Sequence, residues 1–352
     1  MAPSAPTETE ASASSSATWD PEAFDAPDFY DLEGLLSEEA TAVRDEVRAF
    51  VTEEVLPIIE EHAQRAEFPR PLIPAFAERG LLGPTIPPEH GGGGQSNVAY
   101  GLMMQELERG DSGLRSFCSV TGSLVMYPIW RYGTEAQKER WLPALANGEA
   151  IGCFGLTEPE VGSNPSALQT RARRTAVTSE VVLDAVRVPE AHRLPAAEGL
   201  KAPLSCLTQA RYGICWGAIG AAMACYDAAR QHARNREQFG QPIGGFQLMQ
   251  ERLVEMVQEI TKAQLLNWRL GTLKDAGDMR PQQVSLAKRN NCETALDVAQ
   301  SARKMLGGDG VTSRYPVMRH LNNLEAVSTY EGTHEVHTLV VGEDVTGLNA
   351  FA

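Results

Sequence analysis

The 352-residue chain lacks the features that mark several protein classes. No apolar run approaches the length of about 20 residues that a membrane-spanning helix needs, so we expect no membrane segment. Lys and Arg number 31 against 46 Asp and Glu, a formal net charge of -15. Nucleic acid is therefore not expected as a partner, because phosphate binding requires a basic face. The six cysteines show no zinc-site spacing, so we predict reduced, mostly buried thiols and no bound metal.

Basic residues are missing from the N-terminal segment, where the first one is Arg44. Residues 1–28 are rich in Ala, Ser, Thr, Pro and acids. They have neither the apolar stretch of a signal peptide nor the arginine pattern of a transit peptide. We expect residues 1–28 to form a disordered tail on a cytoplasmic protein.

Helical periodicity dominates the rest of the chain, and 43% hydrophobic residues are enough for a large core. An apolar stripe runs from Ser37, a predicted N-cap, to about His62. Further helices are predicted near residues 70–80, 97–109, 112–132 and 134–146, and then at Leu207–Arg236, Gln247–Ala276 and Gln282–Met305. The last three suit an antiparallel four-helix bundle.

Strand-like patterns are confined to residues 152–159 and 181–189. Two short strands make a barely stable sheet by themselves. We therefore predict a mainly α protein with a small β insert. Its parts are the tail 1–28, an N-terminal helical domain 29–150, a short β domain 151–202 and a C-terminal helical bundle 203–352.

A glycine-containing turn, Thr329–His337, interrupts the helical pattern near the C-terminus. It places Glu331 at a helix junction, where a carboxylate facing a cavity would act as a base near neutral pH. The alternative is a solvated Glu beside a helix capped by Thr333. A di-iron site would need two Glu-x-x-His pairs and two further glutamates. Only Glu331 and His334 fit that spacing, across a glycine break, so we expect no metal there.

Five separated motifs, in their family order, resemble the acyl-CoA dehydrogenases. They are Cys153–Pro159 with Gly162-Ser163, Ala210–Gly213, Arg236–Pro242, Met305–Gly310 and Tyr330–Thr333. Within the family, Arg109–Ser116 and Asn323–His334 resemble stretches of glutaryl-CoA dehydrogenase. The resemblance runs from about Asp28 to the end of the chain. It implies an acyl-CoA dehydrogenase-like fold of an N-terminal helical domain, a middle β-domain and a C-terminal four-helix bundle.

The resemblance also implies a reaction. Glu331 would remove the proton next to the thioester while a hydride passes from the next carbon to the flavin of FAD. Arg115 and Ser116 would bind the distal carboxylate of glutaryl-CoA, and Glu108 would be an acidic residue of the same pocket. The substrate is oxidised and decarboxylated to crotonyl-CoA and CO2 in lysine and tryptophan degradation. Ser163, Leu204, Arg211, Tyr330, Gly332 and Phe351 would contact the rest of the substrate. A surface salt bridge with Asp111 or Glu108 is the alternative for Arg115.

The implied FAD site is spread over several segments. The flavin would lie against Phe154, Gly155, Leu156, Thr157, Gly162 and Ser163. Its diphosphate and adenosine would be held by Arg236, Phe239, Gln247, Lys304, Met305, Leu306, Gly307 and Gly308, partly from a neighbouring subunit, and by Thr333, His334 and Glu335. Ordinary packing is an equal alternative for Gln247 and Phe351. The implied partners are electron-transfer flavoprotein and a homotetramer.

The middle β-domain departs from the family pattern. Arg171–Arg174 runs almost directly into Thr175–Glu180, and the family's Trp-Ile-Thr-Asn stretch is absent. The flavin would therefore be less shielded from water. Two alternatives remain open: a dehydrogenase for another short acyl-CoA, and a non-catalytic CoA-ester-binding or assembly paralogue that cannot hold FAD.

Overall fold

Helices build most of the described chain. The computed structural model describes residues 19–158, 161–165, 173–174, 181–182 and 189–351. The N-terminal half contains α1 Glu38–Phe50, α2 Leu56–Gln64, α3 Ile73–Glu78, α4 Asn97–Gly110, α5 Ser112–Ser119, α6 Tyr127–Tyr132 and α7 Glu135–Ala146. The C-terminal half contains α8 Lys201–Asn235, α9 Gln247–Asp275, α10 Pro281–Met305, α11 Val317–Thr329 and α12 His334–Thr346. The predicted mainly helical architecture is confirmed.

The helix starts follow the capping signals of the sequence. The Ser37 side chain accepts a hydrogen bond from the Ala40 amide, and Thr134 forms a capping box with Gln137. The stripe predicted as one helix from Ser37 to His62 is interrupted by a π-helical segment, Val51–Val55, between α1 and α2. A second π-helical segment, Val120–Met126, joins α5 to α6.

The helix predicted from Leu207 begins six residues earlier, at Lys201. Pro203 lies in its first turn, where a missing backbone N–H costs no intrahelical hydrogen bond. Proline therefore does not delay the start of α8.

Helix α8 is shared by two hydrophobic cores. One core joins α8 to α1, α2 and α4, with Phe50, Leu107 and Trp216 among its buried members. The other joins α8 to α9, α10 and α11, with Ile219, Ile260 and Leu324 among its buried members. The long helix therefore ties the N-terminal helices to the bundle.

Helices α4 and α8 approach closely because α8 carries glycines at the contact. A Cβ atom on Gly220 would lie 1.8 Å from the Gln105 carbonyl oxygen, and one on Gly217 would lie 2.0 Å from Glu108 Oε2. No side chain larger than hydrogen fits at either position. The close approach buries the carboxylate of Glu108 against the helix backbone.

Helix α4 also carries buried charges that the apolar pattern did not indicate. The carboxylate of Glu106 pairs with Arg48 at 2.8 Å and with Arg109 at 2.9 Å. Burial raises the pKa of Glu106, but the two guanidinium groups outweigh it and hold the pKa below its ordinary value. The pairing offsets the cost of placing charge in the interior.

The β region differs from its prediction. Residues 151–157 have no regular secondary structure, and in the described part of this region one isolated bridge joins Glu158 to Val161. A strand requires a neighbouring strand for its amides, and this segment instead lays Phe154 and Leu156 on α8. β1 Arg173–Arg174 pairs antiparallel with β2 Val181–Val182, and residues 183–188 of the second predicted strand lie outside the described residues. A further two-residue hairpin, β3 Glu237–Gln238 with β4 Gln241–Pro242, follows α8.

The segment predicted as a disordered tail is partly ordered. Residues 1–18 lie outside the described residues, whereas 19–28 pack on the helices. The Trp19 indole donates to the buried Asp227 carboxylate at 3.3 Å, and Asp25 pairs with Arg230 at 2.8 Å. The ring of Phe24 lies under the Arg109 guanidinium, 4.6 Å from its centroid. The prediction was wrong for 19–28 because composition does not reveal such long-range partners.

Two further predictions concern the burial of the cysteines and the absence of a membrane-spanning helix. The six cysteines are free, five of them buried, and Cys153 is exposed. Among the helices described, none is sufficiently long and apolar to traverse a lipid bilayer.

Candidate active site

A short turn, Tyr330–Thr333, joins α11 to α12 and carries the candidate base. Glu331 has φ of 55° and Gly332 has φ of 103°, so two successive residues are left-handed. Glycine tolerates this conformation, whereas a residue with a Cβ pays about 1–2 kcal/mol for it. Thr333 then caps α12, its hydroxyl accepting from the Val336 amide at 3.3 Å.

Two basic side chains hold the carbonyls of this turn. Arg211 on α8 donates from Nε to the Glu331 carbonyl oxygen at 2.7 Å. Lys288 on α10 donates from Nζ to the Gly332 carbonyl oxygen at 2.8 Å. These two bonds bind the left-handed turn to two helices of the bundle.

The Glu331 carboxyl points inward. Its Oε2 atom is buried and has no hydrogen-bond partner in the described part of the chain. Burial raises the pKa of Glu331, while Arg115, Lys288 and Arg211 act in the opposite direction and leave it above the ordinary value. The alternative of a solvated glutamate is therefore wrong for the carboxyl, although Thr333 does cap the next helix. A carboxylate in this setting is a stronger base than one in water.

A polar cluster lies next to this turn. Arg115 on α5 is 1% exposed and donates from Nε to Glu108 Oε2 at 2.5 Å. Its Nη2 donates to the Tyr330 hydroxyl, which also lies 3.2 Å from Ser116 Oγ. Glu108 accepts a second bond, from Ser112 Oγ at 2.8 Å. The alternative of a surface salt bridge for Arg115 is thus wrong, because the Arg115–Glu108 pair is fully buried.

The structure brings together residues from three helices and one turn: Glu108, Arg115, Ser116, Arg211, Tyr330, Glu331 and Gly332. Sequence reasoning missed Lys288 and His337 at this site. His337 on α12 is 1% exposed, and a Cβ on Gly332 would lie 3.0 Å from its Nε2. Neither ring nitrogen of His337 finds a partner of normal hydrogen-bond geometry among the described residues. The signal available in the sequence was that Lys288 falls among the positions of α10 expected to be buried, between Val284 and Cys292.

The predicted flavin segment borders α8 near Arg211. Phe154 and Leu156 are half-buried against Leu207 and Ala210. These two α8 residues lie in the turn of the helix that precedes Arg211. Gly155, Thr157, Gly162 and Ser163 are exposed, and Leu204 is 40% exposed. This segment therefore offers an open surface beside the α8 turn that precedes Arg211.

The residues predicted for the far end of FAD lie elsewhere. Arg236, Gln247 and Lys304 are exposed, and Phe239 is 93% exposed with its ring edge-on to Phe246. Met305 and Leu306 are core residues, so only their backbone can reach a ligand. Gly307 is left-handed, and both Gly307 and Gly308 face open space. Phe351 is 55% exposed.

A groove of about 360 Å³ lies at the start of α12. His334, Glu335 and His337 line one side of it, and α10 residues including Lys288 and Glu293 line the other. His334 and Glu335, which were predicted for the FAD site, therefore border the same groove as Lys288 and His337.

Comparison with known proteins places both helical halves in one family. Residues 37–149 match the family model for the acyl-CoA dehydrogenase N-terminal domain, and residues 197–346 match that for the C-terminal domain. A crystal structure of glutaryl-CoA dehydrogenase from Mycobacterium smegmatis is 43% identical, with a TM-score of 0.88 over 91% of this chain and 98% of its own. Another from the same species, in complex with FADH2, is 41% identical, with a TM-score of 0.89 over 93% and 99%.

The alignment with a more distant relative is longer than the part of this chain that it covers. The Bos taurus mitochondrial short-chain specific acyl-CoA dehydrogenase is 28% identical, covering 87% of this chain and 90% of its own. Its alignment spans 369 positions, whereas 87% of 352 residues is about 306, so about 63 positions face gaps in this chain. The small sheet fits a truncated middle β-domain. The chain belongs to the acyl-CoA dehydrogenase family, whose members are FAD-dependent oxidoreductases.

Proposed function

We propose that this chain oxidises glutaryl-CoA and decarboxylates it to crotonyl-CoA and CO2. The observation that supports the proposal is the buried guanidinium of Arg115, hydrogen-bonded to Tyr330, the residue directly before Glu331. The turn that carries the candidate base is therefore in direct contact with a buried cation that can bind a carboxylate. A short diacid thioester needs a base at one end and a cation at the other.

The Arg115 cluster suits a carboxylate for reasons of charge and donors. Burying a carboxylate without a charged, hydrogen-bonding partner is costly. Of the five N–H groups of a guanidinium, two are engaged by Glu108 and Tyr330 in the described contacts. The hydroxyls of Ser116 and Tyr330 add further donors. Burial lowers the pKa of Arg115, but Glu108 and its neighbours more than compensate, so the cation persists.

Glu331 serves as the base in this proposal. Its Oε2 accepts the proton from the carbon next to the thioester, and the raised pKa favours that transfer. After oxidation the bond between the γ-carbon and the distal carboxylate breaks, CO2 leaves, and the remaining electron pair takes up a proton at the γ-carbon. Arg115 holds the carboxylate until that bond breaks.

The residues present fit FAD next to this turn. Arg211 on α8 holds the Glu331 carbonyl, and Phe154 and Leu156 pack on Leu207 and Ala210 of the same helix. Phe154, Leu156, Thr157 and Ser163 would hold the flavin end. Arg236, Gln247, Lys304 and the Gly307–Gly308 backbone would hold the other end, with Thr333, His334 and Glu335. When bound, FAD accepts the hydride from the β-carbon.

Three further expectations belong to this proposal. They are electron-transfer flavoprotein as the acceptor, a homotetramer and a cytoplasmic location. The domain limits 29–150, 151–202 and 203–352 also stay predictions. Similarity to a short-chain specific relative favours a second candidate, oxidation of another short-chain acyl-CoA. The truncated middle favours a third, a CoA-ester-binding paralogue without FAD.

A purified protein separates these candidates. Bound flavin should give visible absorption that bleaches when glutaryl-CoA is added without air. Arg115→Met should then lower kcat/KM for glutaryl-CoA by about 100-fold or more while sparing butyryl-CoA. Equal losses on both substrates would contradict the diacid assignment, and a colourless protein that FAD cannot reconstitute would support the paralogue.

A further inference from the structure

Lys288 is a buried cation for which the proposed reaction has no assigned use. It occupies the buried face of α10, which also carries Val284, Asn291, Ala295 and Val298, and it is 1% exposed. Burial lowers the pKa of Lys288, so the fold gives up stability to keep a lysine there. Its hydrogen bond goes to the Gly332 carbonyl at 2.8 Å.

The bond from Lys288 complements the bond from Arg211. Arg211 holds the carbonyl of Glu331, and Lys288 holds the next carbonyl from the opposite helix. Both of the peptide groups that follow the left-handed residues are thereby fixed. Left-handed backbone at a residue with a Cβ persists only where surrounding contacts determine it.

We propose that Lys288 is a positioning residue for Glu331, holding the Gly332 carbonyl so that the carboxyl faces the Arg115 cluster. This rests on the proposed role of Glu331 as the base. Lys288 acts in two ways, through its hydrogen bond on the turn and through its charge on the carboxyl. The two effects can be measured separately.

The charge effect involves a defined set of groups. Glu331 faces Arg115 from α5, Arg211 from α8 and Lys288 from α10, each of which opposes the effect of burial on its pKa. Lys288 in turn faces Cys292 on its own helix, Glu331, and Cys215 and Arg211 on α8. His337 on α12 also senses Lys288. Removing the Lys288 charge leaves burial less opposed, so the pKa of Glu331 rises further.

Infrared titration of the Glu331 carboxyl tests this directly. The band is identified by its loss in Glu331→Gln, and no turnover is needed. In Lys288→Met the carboxyl should titrate about one pH unit higher than in the wild type. Lys288→Arg should restore the wild-type titration. An unchanged titration in Lys288→Met would overturn the charge effect.

The positioning effect has its own readout. Lys288→Gln supplies an amide donor without charge. The Glu331 titration should therefore shift as in Lys288→Met, whereas backbone amide exchange at residues 331–333 should stay slower than in Lys288→Met. Lys288→Met should exchange faster there and lose about tenfold in kcat with little change in KM. If Lys288→Met does not fold, Lys288→Gln carries the titration test.

Lys274 is the matched control. It is a buried lysine on α9 whose Nζ lies 4.1 Å from the Tyr212 ring centroid, and burial lowers its pKa to about 7. Lys274→Met should leave the Glu331 titration and the 331–333 exchange unchanged. A shift as large as that in Lys288→Met would refute a specific role. If the wild type shows no dehydrogenation but Lys288→Met still shifts the titration, the proposed function fails, while the effect of Lys288 on the Glu331 carboxyl is confirmed.

Discussion

Glu331 has a left-handed backbone and an unpartnered carboxyl oxygen, and three cationic side chains lie near its carboxyl. Glu331→Gln keeps the shape and removes the base. We expect turnover to fall by at least about 10²–10⁴-fold, because this is the usual contribution of a placed base. Visible spectra should show flavin retained in the variant. Full activity in Glu331→Gln would assign the proton transfer to another residue.

The buried His337 makes the stability of the protein depend on pH. Burial lowers its pKa to about 3, with Lys288 and Arg211 adding to the effect. Below the ordinary value of 6.5 the unfolded chain takes up a proton that the folded chain refuses, so stability falls as pH drops from 6.5 towards 3. His337→Phe should reduce the fall in the free energy of unfolding between pH 6.5 and 4 by up to about 3 kcal/mol. Urea unfolding at several pH values measures it, and the exposed His192→Phe should leave the dependence unchanged.

Residues of this site differed in how far the sequence could predict them. Glu331, Tyr330, Arg115 and Glu108 came from resemblance, and their contacts agree with one shared pocket. Lys288 was not predicted, because the sequence does not state which carbonyl a buried lysine meets 44 residues away. Met305 and Leu306 were predicted as ligand contacts, but their side chains fill the core.

At the scale of elements, the α4–α8 contact depends on Gly217. Gly217→Ala would place a methyl group on the Glu108 carboxylate, so the helices or the carboxylate must shift. We expect a loss of about 2 kcal/mol in the free energy of unfolding, together with weaker glutaryl-CoA binding. Gly342→Ala on α12 is the control, since open space surrounds that position and Ala favours helix. Equal stability of the two variants would contradict the close contact.

Helices were predicted well and strands poorly for a physical reason. Capping residues and apolar spacing act within one element, so Ser37, Thr134 and Thr333 located helix starts. A strand also depends on a partner elsewhere in the chain. Residues 151–157 have strand-like composition, yet they pack on α8 without a ladder. The π-helical segment Val51–Val55 likewise leaves no mark in the periodicity.

For the whole molecule, the N-terminal segment 19–36 fastens the two helical halves together. Phe24 lies under the guanidinium groups of Arg48 and Arg109 and packs on the bundle core. Phe24→Ala should cost about 2 kcal/mol of unfolding free energy, from lost apolar area and cation–π contact. Phe29→Ala, at a ring 77% exposed, should change it by less than about 0.5 kcal/mol. Thermal or urea unfolding of both variants decides the matter.

The bonds that orient Glu331 come from α8 and α10, neither of which belongs to the shortened region around residues 151–200. The position of the Glu331 turn is therefore set by the helical bundle. The apolar contact of Phe154 and Leu156 with α8, in contrast, belongs to the 151–200 region. Changing the length of that region would alter what covers α8 next to Arg211 while both bonds stay in place.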